Sequence, residues 1–286
     1  MSPTIVLVHG AFASSFSFAP LQAELAALGH RSLAVDLPGH GFEATFTTAY
    51  QAPQDLERLA TAPGSIAGVT LADNVARVIE VLERVREHGP VVLVGHSRGG
   101  LTITEVANTR PDLVDRLVYV SAWAPVELPV GGYYAEPEMA SVDMAAIGAA
   151  MVGDPAALGL LRSNFRTADP QVLAGFKAVF LADGTDEELL AVLATFQPDE
   201  NLDAGGEEHR ARAETWGTVP RTYVRLDADA SMPLALQDRL IREADALTPD
   251  NPYEVHTLHS SHLLWLVRPQ PAARLLAEIA DRTARR

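Results

Sequence analysis

Cysteine is absent from the 286-residue chain, which excludes disulfide bonds, thiol nucleophiles and thiolate metal sites. No apolar run reaches the roughly 20 residues that a membrane-spanning helix needs. The first residues, MSPTIVLVHG, contain neither a basic segment nor a small-residue cleavage site, so we expect no secretory signal and a cytoplasmic location. Basic residues are few, 22 against 37 acidic ones, and the formal charge of -15 argues against nucleic acid or an anionic membrane as a partner.

Short apolar runs bounded by turn residues predict six β-strands. Helical patterns alternate with them, and the clearest covers residues 70–89, where the apolar residues recur at helical spacing on one face. This alternation predicts an α/β fold with a mostly parallel, doubly wound sheet. The predicted strands lie at 4–10, 32–41, 91–97, 117–122, 221–227 and 253–259, and the other helices at 20–30, 101–110, 233–247 and 271–283.

The alternation stops between residues 123 and 218. That stretch contains helical segments, at 154–165, 169–183 and 186–196, and no convincing strand. Removing it leaves a complete α/β pattern. We therefore predict a core made of residues 1–122 and 219–286, with residues 123–218 inserted as a helical cap over the sheet.

The stretch VGHSRGG, residues 94–100, suggests a nucleophile. A Gly-x-Ser-x-Gly match is weak by itself, but here the run VVLV precedes it and the helical pattern LTITEVANTR follows it. A sharp turn from strand to helix would expose the Ser97 hydroxyl at the carboxyl edge of the sheet. The two backbone donors of an oxyanion hole would then be the N–H of Arg98, directly after the serine, and the N–H of Ala11, in the loop after the first strand.

A serine needs a base, and the base needs an acid to orient it. His256, His259 and His262 follow late in the chain, and His262 is favoured because it lies in the loop after the last strand rather than within it. The acid is Asp227, which ends the run 221–227, or Asp229, which lies in the loop that follows. Histidines at this spacing do not converge as they run from a strand into a loop, so we expect no metal site, and the chemistry needs no cofactor.

Five segments resemble the α/β-hydrolase superfamily, in particular the branch that contains hydroxynitrile lyases and methyl-ester esterases. These segments cover the whole core in the family's order, and the resemblance implies the α/β-hydrolase fold. It also assigns the acid to Asp229, three residues before a small-apolar-Pro stretch, and the base to His262, before an apolar pair and a later Pro-Gln. The segments are VLVHGAF, DLPGHG, GHSRGG, VPRTYVRLDADASMPLALQ and SSHLLWLVRPQ.

Three positions depart from this branch. Its hydroxynitrile lyases have a lysine directly after the catalytic histidine, where this chain has Leu263, which favours the esterase side. Arg98 replaces the usual leucine or methionine, and its side chain either pairs internally or binds an acidic group of the substrate. Phe18 stands where the family has a tryptophan.

The predicted function is hydrolysis of a carboxylic ester of a hydrophobic or aromatic small molecule through an acyl-enzyme. Two alternatives stay open: a lyase, cyclase or carbon–carbon bond hydrolase on the same scaffold, and a non-enzymatic small-molecule receptor. A homodimer is compatible with the sequence. Aromatic and apolar residues of the cap and the loops are the candidates for the substrate pocket: Phe12, Trp123, Tyr133, Tyr134 and Leu263.

Overall fold

The computed structural model describes residues 2–285. Six parallel strands form the main sheet in the order β2-β1-β3-β4-β7-β8, and β5 and β6 form a separate antiparallel pair. All six predicted strands are confirmed. The strands are β1 (Thr4–Val8), β2 (Arg31–Val35), β3 (Val91–Ser97), β4 (Arg116–Ala122), β5 (Leu161–Arg162), β6 (Asp199–Glu200), β7 (Arg221–Leu226) and β8 (Glu254–Leu258).

The strand burial explains why the apolar runs differ in character. The inner strands β1 and β4 are buried at every residue, because both faces of a parallel sheet are covered. The edge strands β2 and β8 alternate between exposed and partly buried residues instead. A continuous apolar run therefore marks the centre of this sheet.

Helices cover both faces of the sheet. On one face, side chains such as Val6 and Tyr119 pack with α3, α4 and α10. On the other face, Leu7 and Val94 pack with α1 and α12. The helices are α1 (Ala19–Ala27), α2 (Leu56–Leu59), α3 (Leu71–Arg86), α4 (Gly99–Thr109), α5 (Val130–Tyr133), α6 (Met144–Gly148), α7 (Pro155–Leu158), α8 (Pro170–Phe180), α9 (Asp186–Leu193), α10 (Leu234–Leu247), α11 (Leu264–Val267) and α12 (Gln270–Ala284). Within residues 2–285, none of them has the length and apolar content that a bilayer crossing needs.

The stretch between β4 and β7 carries α5 to α9 and the short pair β5–β6. The prediction that it contains no strand is wrong. Each of these strands has two residues, too few for a visible alternation, and a buried ion pair joins them: Arg162 donates two hydrogen bonds to Asp199, at 2.6 and 2.7 Å. The predicted helix at 154–165 is also reduced to α7, because the chain turns at Gly159 into β5.

Candidate active site

Ser97 lies at the turn between the central strand β3 and helix α4. It is the last residue of β3, and α4 begins two residues later, at Gly99. Its φ angle is 52°, in the left-handed region that side chains avoid. Such a conformation costs on the order of 1–3 kcal/mol and persists only where the surrounding structure enforces it.

Glycines allow the surrounding chain to close on this turn. A Cβ atom at Gly99 would lie 2.5 Å from the carbonyl oxygen of Val8, and one at Gly100 would lie 2.3 Å from that of Trp123. Both distances are far below van der Waals contact. The start of α4 is therefore pressed against the loops that follow β1 and β4, with Ser97 between them.

His262 and Asp229 are in direct contact. Nδ1 of His262 lies 2.5 Å from Oδ2 of Asp229, and both side chains are buried. The same Oδ2 accepts a hydrogen bond from the Ser121 hydroxyl, while Oδ1 accepts the main-chain N–H groups of Ser231 and Met232. A carboxylate can only accept, so the proton between the two side chains is on Nδ1. Nε2 of His262 is then free to act as a base.

The other candidates from the sequence lie elsewhere. Asp227 pairs with His259 at 2.9 Å on the protein surface, where the His259 side chain is 84% exposed. His256 is bonded to Glu254 within the edge strand β8. Of the two aspartates and three histidines considered, the structure brings Asp229 and His262 together at the cavity that Ser97 also lines.

Two neighbouring rings, of His96 and Trp265, hold the main chain of His262. Nε2 of His96 and Nε1 of Trp265 both bond to the main-chain carbonyl oxygen of His262, each at 3.1 Å. A carbonyl only accepts, so His96 is protonated on Nε2. Burial, with a smaller contribution from His262, lowers the pKa of His96 well below its usual value, so this ring stays neutral.

The two predicted oxyanion residues both line the same cavity. Next to Ala11, Phe12 has a φ of 58°, and its main-chain N–H donates to Glu200 at 2.8 Å. Among residues 2–285, Phe12, Ser97 and Ser121 are the non-glycine residues with positive φ. All three lie at the cavity or against Asp229, so the backbone strain of the described chain is concentrated at this place.

The side chain of Arg98 is occupied by internal partners. Its Nη1 donates to the carbonyl oxygen of Asn201 at 3.0 Å, and its Nη2 donates to Oδ1 of the same residue at 2.6 Å and to the carbonyl oxygen of Asp203. Of the two roles considered for this guanidinium, the contacts favour internal pairing. His9 has a packing role too, since its ring bonds to the main chain of Gly10 and Leu37.

The cavity has a volume of about 430 Å³ and is lined mostly by apolar side chains. Phe12, Trp123, Tyr134 and Leu263 line it as predicted. The prediction for Tyr133 is wrong: its side chain is fully buried and its hydroxyl donates to the carboxylate of Glu243 on α10. Tyr133 is the last residue of the short helix α5, and Tyr134 directly follows it. Consecutive residues of a helix point in different directions, and here the side chain of Tyr134 faces the cavity.

Phenylalanine rings form one wall of this cavity. The ring of Phe165 is the centre, and its centroid lies 5.2 to 5.4 Å from those of Phe12, Phe176 and Phe196. Phe180 continues the wall to 6.2 Å from the His262 ring. Such a surface suits a flat apolar group placed next to the nucleophile. No group of three or more histidine or acidic residues within 2–285 is arranged to hold a metal ion.

Residues 5–277 match the model of the alpha/beta hydrolase family. The chain belongs to this family. The predicted resemblance is confirmed, as is the fold, and this α/β hydrolase is an enzyme of the hydrolase class.

Curated relatives of this α/β hydrolase cover nearly its whole length. A pyrethroid hydrolase from Sphingobium wenxiniae is 26% identical over 287 residues, which is 98% of this chain and 88% of the relative. Polyneuridine aldehyde esterase from Rauvolfia serpentina is 24% identical over 282 residues, 96% and 95% of the two chains. A crystal structure of a pyrethroid hydrolase superposes with a TM-score of 0.71 at 22% identity and covers 100% of both chains. At that identity the superposition shows the fold alone.

Several residues around the site of this α/β hydrolase escaped the sequence analysis. Ser121 and Trp265 bond to the acid and to the histidine, and Glu200 reaches the loop that carries Ala11 and Phe12. His96 and Ser121 belong to the segments VVLVGHS and LVYVSA, whose position at the ends of two neighbouring parallel strands was a usable signal. Glu200 had no such signal in the sequence, because the two-residue strand β6 that carries it was not predicted.

Proposed function

We propose that the chain is a serine hydrolase that cleaves a carboxylic ester of a hydrophobic or aromatic small molecule. The contact between His262 and Asp229, at the cavity that Ser97 lines from its strained turn, carries the proposal. The names of the curated relatives, which include esterases and methylesterases, support ester bonds as the target.

The proposed reaction uses each of these groups. Ser97 Oγ attacks the ester carbonyl carbon while Nε2 of His262 takes the hydroxyl proton, and Asp229 stabilises the imidazolium that forms. The carbonyl oxygen becomes an oxyanion that the N–H groups of Ala11 and Arg98 bind. The carbon–oxygen bond then breaks, His262 returns the proton to the departing alcohol, and an acyl group remains on Ser97. Water, deprotonated by His262, hydrolyses that acyl-enzyme and regenerates the serine.

The apolar cavity supports the choice of substrate. Its phenylalanine wall begins at Phe12, beside the proposed oxyanion hole, and ends at Phe180, beside His262. An aromatic group attached to the ester would therefore be held close to the bond that is cleaved. Neutral aryl esters should be turned over faster than short aliphatic esters such as ethyl acetate.

Covalent labelling and a single substitution test the proposal together. A fluorophosphonate should label the purified protein at Ser97, and a panel of p-nitrophenyl and methyl aryl esters should be hydrolysed. Ser97→Ala should abolish labelling and reduce turnover by several orders of magnitude while thermal unfolding stays similar. A wild-type protein that is neither labelled nor active on any ester would refute the hydrolase mechanism, and retention of an intact ligand would favour a receptor.

A further inference from the structure

A buried carboxylate at the cavity wall has no part in the mechanism above. Glu200, on the short strand β6, is 2% exposed. Its Oε2 accepts the main-chain N–H of Phe12 at 2.8 Å and a ring N–H of His40 at 3.3 Å. Its Oε1 accepts both the main-chain and the side-chain N–H of Asn201, each at 2.9 Å, and lies 3.6 Å from the Arg98 guanidinium. With both oxygens taken, the carboxylate has no free acceptor to offer a substrate or a proton.

The charges around Glu200 keep it ionised. Burial would raise the pKa of Glu200, but Arg98, His40 and the Phe12 N–H outweigh burial and hold this pKa below its usual range. The His40 ring contacts the Glu200 carboxylate through Nε2 and the Pro38 carbonyl oxygen through Nδ1. Burial lowers the pKa of His40, but Glu200 outweighs burial and raises this pKa above its usual value. The Glu200 carboxylate thus lies between the Arg98 guanidinium and the His40 ring.

One segment of the cap, residues 197–203, bonds to both main-chain groups of Phe12, in the loop that carries the proposed oxyanion donor Ala11. The N–H of Phe12 donates to Glu200, and the carbonyl oxygen of Phe12 accepts the main-chain N–H of Gln197 at 2.8 Å. Phe12 is the strained residue with a φ of 58°, and the N–H proposed to bind the oxyanion is that of its neighbour Ala11. These two bonds therefore fix the two peptide planes that flank Phe12, the first of which adjoins the peptide that carries the Ala11 N–H.

The same segment holds the second oxyanion residue. The guanidinium of Arg98 bonds to the carbonyl oxygens of Asn201 and Asp203 and to the Asn201 side chain. Asn201 in turn donates to Glu200. A continuous chain of hydrogen bonds thus runs from Phe12, the residue next to one proposed oxyanion donor, through Glu200 and Asn201 to Arg98, which carries the other.

We propose that Glu200 is a positioning residue for the oxyanion hole: its carboxylate sets the distance between the Ala11 loop and the Arg98 turn from the cap side. This inference rests on the proposed ester hydrolysis and deepens it. It makes residues 197–203 part of the catalytic apparatus although none of them touches the reacting atoms. It also gives the unusual Arg98 side chain a role, as the second attachment point of this segment.

Glu200→Gln is the informative substitution. An amide has one oxygen and one NH₂, whereas every group around Glu200 is a donor, so either placement sets the NH₂ against an N–H. The Ala11 loop should relax. Loss of one oxyanion donor costs about 10²–10³ in kcat, and a misplaced donor less. We expect kcat to fall by about 10- to 100-fold with KM changed little, because the donors act on the transition state.

Two matched inhibitors separate positioning from general damage. An aryl trifluoromethyl ketone adds to Ser97 and creates an oxyanion, whereas the corresponding methyl ketone fills the same cavity without forming a stable adduct. Glu200→Gln should weaken binding of the trifluoromethyl ketone by about the same factor as kcat, and should leave binding of the methyl ketone unchanged.

Glu243→Gln provides the control variant. Glu243 is also buried, at 7% exposure, and also lies beside an arginine, since it accepts a hydrogen bond from Arg239 at 2.6 Å. It links the cap residue Tyr133 to α10 and contacts neither oxyanion loop. Glu243→Gln should lower the unfolding temperature and leave the affinity ratio of the two ketones as in the wild type.

Each outcome decides the matter. Positioning is refuted if Glu200→Gln and Glu243→Gln reduce kcat equally, or if Glu200→Gln weakens both ketones to the same extent. Should Glu200→Gln fail to fold, Asn201→Ala removes the two side-chain links of this chain, from Asn201 Nδ2 to Glu200 and from Arg98 to Asn201 Oδ1, and leaves the main-chain bonds of residue 201 in place. An unchanged ketone ratio in that variant refutes the proposal. A wild-type protein without ester hydrolysis or labelling at Ser97 refutes the proposed function as well, whereas an active wild type with unaffected variants refutes positioning alone.

Discussion

The Asp229→Asn substitution tests how the base is oriented. In the wild type, Oδ1 of Asp229 accepts two main-chain N–H groups, and Oδ2 faces Nδ1 of His262. The asparagine oxygen must take the Oδ1 place, because an NH₂ there would leave two buried N–H donors unpaired at about 1–3 kcal/mol each. The NH₂ then points at His262 and donates to Nδ1.

This reversal removes the base without disturbing the fold. With Nδ1 accepting, the neutral ring carries its proton on Nε2, the atom that takes the Ser97 proton in the proposed mechanism. In serine hydrolases with the same three groups, this substitution lowers kcat about 10⁴-fold, which corresponds to about 5 kcal/mol of transition-state stabilisation. The Ser121 hydroxyl can rotate to accept from the new NH₂, so the variant should remain folded.

The assay is steady-state hydrolysis of a p-nitrophenyl aryl ester, with thermal unfolding measured in parallel. Asp227→Asn is the control, since Asp227 lies in the same loop and pairs with the exposed His259. It should stay within about two-fold of the wild type, as expected of a surface substitution. A kcat for Asp229→Asn within about ten-fold of the wild type, or an equal loss for both variants, would refute the assignment of Asp229.

Three further predictions concern the turn between β3 and α4, acid stability and Arg98. In urea unfolding, Gly99→Ala should destabilise the fold by about 3 kcal/mol or more, because the added Cβ would lie 2.5 Å from the carbonyl oxygen of Val8. Gly131→Ala is the control and should be neutral, because its Cβ would have no atom within 4 Å. Burial, aided by His40, lowers the pKa of His9 to about 4. Below about pH 6.5, His9 of the unfolded chain therefore binds a proton that the folded chain does not, and up to about 3 kcal/mol of stability is lost between about pH 6.5 and pH 4. His9→Gln should flatten the slope of the urea midpoint against pH, and an unchanged slope would contradict this prediction. Arg98→Leu should reduce turnover of neutral and acidic esters equally, and a selective loss on acidic esters would instead indicate substrate binding.

Much of the fold was predictable because the signals are local. The runs at 91–97 and 117–122 are mostly apolar and form the buried strands β3 and β4. Parallel strands place their carboxyl ends at one edge of the sheet, so Ser97, Asp229 and His262, each after a different strand, were expected to lie close together. The structure brings Asp229 and His262 into contact and places Ser97 in the wall of the same cavity.

The residues that escaped prediction depend on contacts between distant parts of the chain. Glu200 bonds to Phe12 across 188 positions, and Ser121 bonds to Asp229 across 108. The orientation of Tyr133 is set by Glu243, 110 positions away. No periodicity in the sequence records such pairings, and the strands β5 and β6 are too short to create one.

The positive φ angle of Ser97 sets stability against activity in this chain. A left-handed conformation costs a residue with a side chain about 1–2 kcal/mol, whereas glycine adopts it freely and loses about 0.5–1 kcal/mol in chain entropy. Glycine at position 97 would therefore leave the fold as stable as before or slightly more stable, whereas glycine at position 121 would also remove the hydrogen bond to the buried Asp229 carboxylate, at about 1.5–3 kcal/mol. A library evolved for heat resistance alone could replace the proposed nucleophile at no thermal disadvantage. Any such selection needs a turnover screen at every round.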